Sequence, residues 1–521
     1  MTSPSSEATA RSPRSGDEGR EGPGALTPEQ RLAAGAPARR LSIGAGPGAG
    51  KTTVSARRFG VERFAPDDRH DPRAVVAVSF TRSATRTLVR RIQRLWGPHA
   101  IRWPHRVITL DSIMVDLLHD LLRARLLVWP GDHTQLEVED SWASYGTRDR
   151  SFLRYELRLQ GSTVEIYGIK VRKAIYVVDP KRCARLMRQG VCTHEDVRSV
   201  LVMALQRDDV RAFVLARFAQ RLRALIVDEV YDANDLDIDV IELAVEAGVN
   251  VTVVGDIWQA MYVFRGARPD VVPQLLSRQG FRSLMLTHSF RWQTDEQASL
   301  ADRLRSGAST TLPRVGGEHV ADLDIVLASK WASLWELGPR VLPMGFQSFK
   351  GGPEEAAAIL VLNHVTRSLF STDAIYVKEA VTALAIVAED FFVDAEPRLQ
   401  QIVDVLSRDA KPAQLKAHVK TGYQLLSELV ADYSPRQLKP VRANYTNRLM
   451  NIQTRLLHPT RPVPGLTAHQ AKGAEWNAVG VCLDDNERIR LANGLSVESE
   501  TDRRLYVACT RARARTVEVV A

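Results

Sequence analysis

The run Leu41-Ser-Ile-Gly-Ala-Gly-Pro-Gly-Ala-Gly-Lys-Thr-Thr53 places a lysine and two threonines directly behind a loop of small residues. That spacing suits the binding of phosphates. Backbone N–H groups of such a loop close around phosphate oxygens, Lys51 reaches the β and γ phosphates, and the Thr52 hydroxyl can ligate Mg²⁺. Ala45, Gly46, Pro47, Gly48, Ala49, Gly50, Lys51, Thr52 and Thr53 are therefore the candidate nucleotide contacts. In the G-x-x-x-x-G-K-S/T pattern the first glycine falls at Ala45, and Gly44 to Ala49 also satisfies the looser dinucleotide pattern G-x-G-x-x-A. On this segment alone a triphosphate loop, a dinucleotide loop and an ordinary turn all stay open.

A second chemically capable group is Arg223-Ala-Leu-Ile-Val-Asp-Glu229, an apolar run ending in two acids. Read as a buried strand, it delivers Asp228 to the carboxyl end of a parallel sheet, where open α/β sheets bind ligands. Asp228 is then a candidate Mg²⁺ holder alongside Thr52. Glu229 is a candidate for orienting or deprotonating the water that attacks a γ-phosphate. A solvated acidic pair after a strand is the plain alternative.

Through an ordered series of segments the chain resembles the UvrD/Rep-type helicases of superfamily 1, which include the RecB-like motors. Leu26-Thr-Pro-Glu-Gln30 looks like the adenine-reading segment, which implies Gln30 as the base reader. Ala45 to Thr52 is similar to that family's own phosphate loop, where alanine at the first position is usual. Val78-Ser-Phe-Thr-Arg-Ser-Ala-Thr85 resembles "TFTNKAA", implying that Phe80, with Thr81 beside it, meets DNA. Asp228-Glu-Val-Tyr-Asp232 resembles "DEFQD". Val254-Gly-Asp-Ile-Trp-Gln-Ala-Met-Tyr-Val-Phe-Arg-Gly-Ala267 is similar to "VGDDDQSIYGFRGA", implying Gln259 at the γ-phosphate and Tyr262, Phe264 and Arg265 on DNA.

The later segments keep the family's order. His288-Ser-Phe-Arg291 looks like "NYR", implying Phe290 as the platform under adenine and Arg291 as a γ-phosphate ligand. Thr467-Ala-His-Gln-Ala-Lys-Gly-Ala-Glu475 is similar to "TVHQSKGLE", with Glu475 expected at the ribose and His469 on the DNA side. Arg503-Arg-Leu-Tyr-Val-Ala-Cys-Thr-Arg-Ala512 resembles "RLLYVALTRA" and implies Arg511 as the second arginine on the triphosphate. Eight such segments in order set the dinucleotide reading aside. Aromatic stacking suits a protein that must accept any base, although core packing is the ordinary role of rings such as Tyr262 and Phe264.

These residues need elements to hold them. Lys51, Thr52, Asp228 and Glu229 lie in the first half and Arg291 and Arg511 beyond residue 280. The expected architecture is therefore α/β, with two RecA-like P-loop lobes built on parallel sheets flanked by helices, and nucleotide between them. The first lobe is expected at residues 26–110 and 220–280 and the second at 281–330 and 455–521. Residues 111–219 read as an α+β insertion in the first lobe, and 331–454 as a reduced, mainly helical insertion in the second. Residues 1–25, rich in Ser, Gly, Pro and Arg, read as a disordered tail.

Composition narrows the class further. A chain of 521 residues at 45% hydrophobic content can bury a large core, and 70 basic against 61 acidic residues leave a net charge of +9 that favours a polyanionic partner. No segment has the apolar run of a signal peptide or a membrane span, so no membrane role and a cytoplasmic location are expected. Cys183, Cys192, Cys482 and Cys509 lack the spacing of a metal site. Three departures from the family stand out: Tyr231 in place of Gln, Asp111 in place of His, and no clear "VLxR" strand after Arg291. An acid at Asp111 facing a phosphate would repel it.

The resemblance implies an ATP- and Mg²⁺-dependent translocase or helicase, moving 3′ to 5′ on single-stranded DNA or on DNA with a single-stranded tail. Two alternatives accompany it. One is a DNA-activated ATPase that serves a partner nuclease as sensor or loader, like the short UvrD-like subunit of Gabija-type phage-defence systems. The other is a non-catalytic nucleic-acid-binding scaffold.

Overall fold

The computed structural model describes residues 26–65, 71–145, 148–387 and 390–520; the tail expected over residues 1–25 lies outside them. Short runs of β-branched and small apolar residues form two six-stranded parallel sheets. In the first, the order is Arg282–Leu286, Arg40–Ala45, Asn250–Gly255, Leu222–Asp228, Ala74–Ser79, Arg106–Thr109. Leu222–Asp228 and Ala74–Ser79 are buried at every residue, as strands covered on both faces must be. Helices Lys51–Phe64, Arg82–Trp96 and Asp235–Glu246 provide that cover.

The second sheet runs Arg314–Val315, Ala512–Val519, Trp476–Cys482, Ile325–Ala328, Val463–Thr467, Val341–Pro343, again parallel throughout. Its core centres on Val326, Leu327, Val479, Val481 and Tyr506. Two parallel sheets flanked by helices are the expected pair of lobes, but their bounds differ from the sequence reading. Arg282–Leu286 pairs with Arg40–Ala45, so the first sheet reaches beyond residue 281. Helix Trp331–Glu336 and strand Val341–Pro343 belong with the second sheet. A five-residue apolar run carries no label for the sheet it will join, and pairing partners far away in sequence settle the matter. Beyond Arg291 the second sheet does contain a central strand, Ile325–Ala328, bonded on both sides.

Two insertions complete the chain. The first contains helix Leu110–Arg123, an antiparallel hairpin Arg148–Gln160 and Thr163–Val178, and helices Pro180–Arg188, His194–Ala204 and Asp208–Arg221. Its Leu157, Val164 and Leu201 lie in the same hydrophobic cluster as Leu225 and Val253 of the sheet, so insertion and lobe share one core. The second insertion is helical, Pro353–Phe370 through Ala443–Leu456, with a cluster of its own around Ile359, Leu399, Leu426 and Ile452. No helix among the described residues is long and apolar enough to cross a membrane.

One glycine is demanded by packing against the helix that carries the phosphate loop. A Cβ at Gly60 would stand 1.9 Å from Cε2 of Trp96, whose indole N–H donates to the Ala56 carbonyl at 3.0 Å. Gly60→Ala gains up to about 1 kcal/mol in helix propensity but overpacks a rigid ring, at about 1–3 kcal/mol. The overpacking wins, and the melting temperature should fall by about 2–4 °C in a thermal melt; an unchanged or higher value would show that Trp96 moves freely.

Candidate functional site

The cleft is built from the loop after the first strand. Strand Arg40–Ala45 ends at the buried Ala45, and Gly48 and Gly50 then adopt φ of +74° and +85°, the left-handed region glycine tolerates without strain. Gly50 caps helix Lys51–Phe64 through its carbonyl, which accepts from Thr53 N at 2.8 Å and Val54 N at 3.0 Å. Side chains close in from outside the loop. Gln30 receives Thr27 N and donates through Nε2 to the Ala49 carbonyl at 3.0 Å, so its amide braces the loop as well as lining the cleft. From the segment after Leu286, Phe290 N donates to the Gly48 carbonyl at 3.1 Å and Ser289 Oγ to the Pro47 carbonyl at 2.7 Å.

The acidic end of Leu222–Asp228 faces this loop. Asp228 is 3% exposed, and its Oδ1 has no hydrogen-bond partner among the described residues. Burial, reinforced by the neighbouring Glu229 charge, pushes its carboxyl up to about 7. Glu229 has φ +62°, an unusual setting for a side chain with a Cβ, at a cost of about 1–2 kcal/mol. From there its carboxylate lies 4.0 Å from Lys51 Nζ and 4.0 Å from Lys472 Nζ. Lys472 comes from the other sheet's side and donates to Asp232 at 2.5 Å. Burial raises Asp232 to about 6, and Asp232 and Glu229 hold the Lys472 ammonium above its ordinary range although burial opposes it.

Five further side chains, Gln259, Arg291, Arg511, Glu475 and Phe290, line the cleft. Gln259 donates to Asp256 at 2.8 Å, and Asp256 is held by the Arg305 guanidinium at 3.1 Å. Arg291 donates to Glu475 at 3.0 Å and to the Thr510 carbonyl at 2.7 Å. Arg511 is 1% exposed; burial, with Arg291 nearby, lowers it to about 9. Its Nη2 is buried without a hydrogen-bond partner among the described residues. Glu475, expected at a ribose, is bonded to Arg291 and also to Arg513 at 2.7 Å. Phe290 is half exposed at the mouth, edge-on to His288. The cleft measures about 750 Å³, within the range of small-molecule sites.

The residues expected on DNA fall into two groups. Tyr262, Phe264, Arg265 and His469 meet in one cluster: Phe264 is edge-on to His469 at 5.3 Å, and Arg265 lies over the Tyr262 and Phe264 rings. Phe264 is 62% exposed, which rules out core packing for it, whereas Tyr262 is partly buried. Phe80 is partly buried against the first core and lines the cleft, and Thr81 caps helix Arg82–Trp96 by accepting from Ala84 N at 3.2 Å. Asp111 does not stand uncompensated. It accepts from Arg198 at 2.7 Å, and Arg198 also donates to Asp237 at 2.8 Å. Tyr231 packs its ring against Gly255, where a Cβ would come within 2.8 Å.

Four side chains that sequence reasoning passed over belong to the site: Lys472, Arg91, Arg305 and Arg513. Arg91 donates to Thr53 Oγ1 at 2.6 Å and lines the cleft. Lys472 and Arg513 lie inside or beside recognisable segments, and attention to every cation there would have found them. Arg91 and Arg305 sit on ordinary helices with no local signal.

Comparison with known proteins agrees with the geometry. The family model for the UvrD/REP helicase N-terminal domain matches residues 26–278. DNA helicase II of Salmonella typhimurium is 23% identical over 325 residues, covering 57% of this chain and 43% of that protein. ATP-dependent DNA helicase Rep of the same organism is 25% identical over 274 residues, 46% of this chain and 37% of the relative. RecBCD enzyme subunit RecB of Mycolicibacterium smegmatis is 31% identical over 122 residues, 23% and 11% respectively. The chain thus spans less than half the length of these relatives.

Asp228 carries a consequence for stability. Its native pKa of about 7 lies above the unfolded carboxylate value, so stability falls as pH rises from about 4 through about 7. Asp228→Asn removes that loss. Without Mg²⁺ or nucleotide, the variant should melt a few degrees above the parent at pH 8, with the gap shrinking as pH falls below 7. A lower melting temperature for the variant at pH 8 would contradict this account.

Proposed function

We propose that this chain, whose residues 26–278 match the UvrD/REP helicase N-terminal domain, is a UvrD/Rep-type superfamily 1 protein working as an ATP-dependent translocase or helicase on DNA. The observation that carries the proposal is a set of buried atoms without hydrogen-bond partners among the described residues, all on side chains that line one cleft: Asp228 Oδ1 and Arg511 Nη2, with Asp232 Oδ1 and Ser79 Oγ beside them. A buried charged atom is costly unless something completes it, and a Mg²⁺-bound triphosphate would complete Asp228 and Arg511 at once. The nucleotide reading of Gln30, Ala45 to Thr53, Phe290 and Glu475 rests on the same cleft.

Thr52 and Asp228 are the residues that would hold Mg²⁺. One hydroxyl and one carboxylate suit an ion that takes its other ligands from phosphates and water. When bound, it would neutralise charge on the transferring phosphoryl group. Lys51 neutralises the β and γ phosphates, and Glu229, held by its left-handed backbone between Lys51 and Lys472, orients the attacking water and receives its proton. Arg291 and Arg511 stabilise negative charge on the γ-phosphate, and Gln259 senses its presence.

DNA is assigned to Phe80, Thr81, Tyr262, Phe264, Arg265 and His469, by stacking and by phosphate contact. Polarity from 3′ to 5′ is part of the proposal and rests on resemblance. Service to a partner nuclease stays the second reading, supported by the compact helical insertion over Pro353–Leu456.

Lys51→Ala and Glu229→Gln should each lose nearly all ATPase activity, with Glu229→Gln still binding ATP; turnover within a few-fold of the parent in either would sink the assignment. Phe264→Ala should weaken oligo-dT binding by about 1–3 kcal/mol in an anisotropy titration while keeping basal hydrolysis. Strand displacement should require a 3′ tail, and rapid unwinding of blunt or 5′-tailed duplex would overturn the polarity.

A further inference from the structure

The hairpin of the first insertion has a break in its ladder. Pairing runs regularly from Gln160 opposite Thr163 to Leu153 opposite Lys170, and resumes only at Ser151 opposite Ile175. Phe152 on one strand therefore faces four residues, 171–174, on the other. The irregularity is stabilised locally, because Ser151 Oγ accepts from Leu153 N at 3.0 Å and donates to the Leu153 carbonyl at 2.8 Å. Bulges of this kind re-aim a side chain, and here Phe152 is 62% exposed.

Cations flank that position along the two strands. Arg150, Lys170, Arg172 and Lys173 are all exposed, and no ion pair joins them to a carboxylate among the described residues. Basic residues on a two-stranded ribbon have a plain explanation, since they discourage edge-to-edge aggregation. Phe152 contradicts that explanation, because a solvent-facing phenyl on an open ribbon favours association. A ring for stacking beside unpaired positive charge is instead the combination that single-stranded nucleic acid requires.

Position supports the same partner. Arg82, next to Thr81 and Phe80, pairs with Asp140 at 2.5 Å. Asp140 shares a small pocket with Arg154 and Tyr155 of the hairpin. The ribbon thus stands beside the end of the first sheet where Phe80 lines the cleft.

We propose that Phe152, with Arg172, Lys173 and Lys170, forms a second single-strand DNA contact outside the two-lobe cluster, one base stacking on the ring and the backbone phosphates meeting the cations. The inference rests on the DNA-translocase reading above. Its test uses fluorescein-labelled oligo-dT of 10 and 30 nucleotides with the full chain, titrated between 50 and 200 mM salt. Phe152→Ala should weaken binding of the 30-mer about tenfold and that of the 10-mer much less. An Arg172→Ser, Lys173→Ser double variant should flatten the plot of log affinity against log salt by about 1.4, two phosphates at about 0.7 each. Both variants should keep the parent's ATPase rate at saturating DNA. If the parent binds DNA and hydrolyses ATP but neither variant changes affinity or salt slope, this proposal alone falls. If the parent binds no oligonucleotide, the function falls with it. Should Phe152→Ala also lower the melting temperature, the double variant, altered only at exposed side chains, still decides.

Discussion

Charge held out of water around one cleft is the constraint on which the rest of this structure depends. Asp228, Asp232, Lys472 and Arg511 are all withdrawn from solvent, where an uncompensated charge is costly. Asp232 Oδ2 and Lys472 pair at 2.5 Å, while Asp232 Oδ1 is left without a hydrogen-bond partner among the described residues. Asp228 Oδ1 and Arg511 Nη2 likewise find no partner among the described residues, and the fold keeps them from relaxing outward. Asp228 ends a strand buried at every residue, and Arg511 is tethered by its Nε to the Val507 carbonyl at 3.1 Å. Stability is given up at these atoms and recovered from the two large cores.

The same segments that line the cleft also carry the aromatic cluster. Gln259 at the cleft is three residues from Tyr262, and Lys472 is three residues from His469. Those two segments are bonded to each other and to the helix preceding Arg511: His469 contacts the Met261 carbonyl at 3.2 Å, and Arg503 donates to the Ala260 carbonyl at 2.7 Å. Under the proposed function, this is a short mechanical path between nucleotide state and grip on a base. It needs no long relay.

Departures from the family pattern become intelligible once partners are visible. Asp111 looks like a repulsive acid in a phosphate site, yet Arg198 of the insertion neutralises it and ties it to Asp237. The insertion is therefore fastened to the first lobe both by a shared core and by this buried-side ion network. Tyr231 fills space against Gly255, so its role here is packing.

The chemistry of the site was legible in the sequence because it depends on residue types at short spacing. Glycines at 48 and 50 before Lys51, and an acid pair closing an apolar run, specify a loop and a strand end whatever surrounds them. The first parallel sheet followed from the alternation of apolar runs with helical patterns, and the second lobe from the resemblance together with the cations beyond residue 280. Tertiary structure alone decided which sheet took Arg282–Leu286 and Val341–Pro343, because a short apolar strand is compatible with many neighbours and only packing selects one. It alone brought Arg91 to Thr53 and Arg305 to Asp256, pairs whose members lie 38 and 49 residues apart with no local pattern linking them. It also set the pKa directions, since burial and the approach of distant charges are properties of the folded chain and not of the residue order.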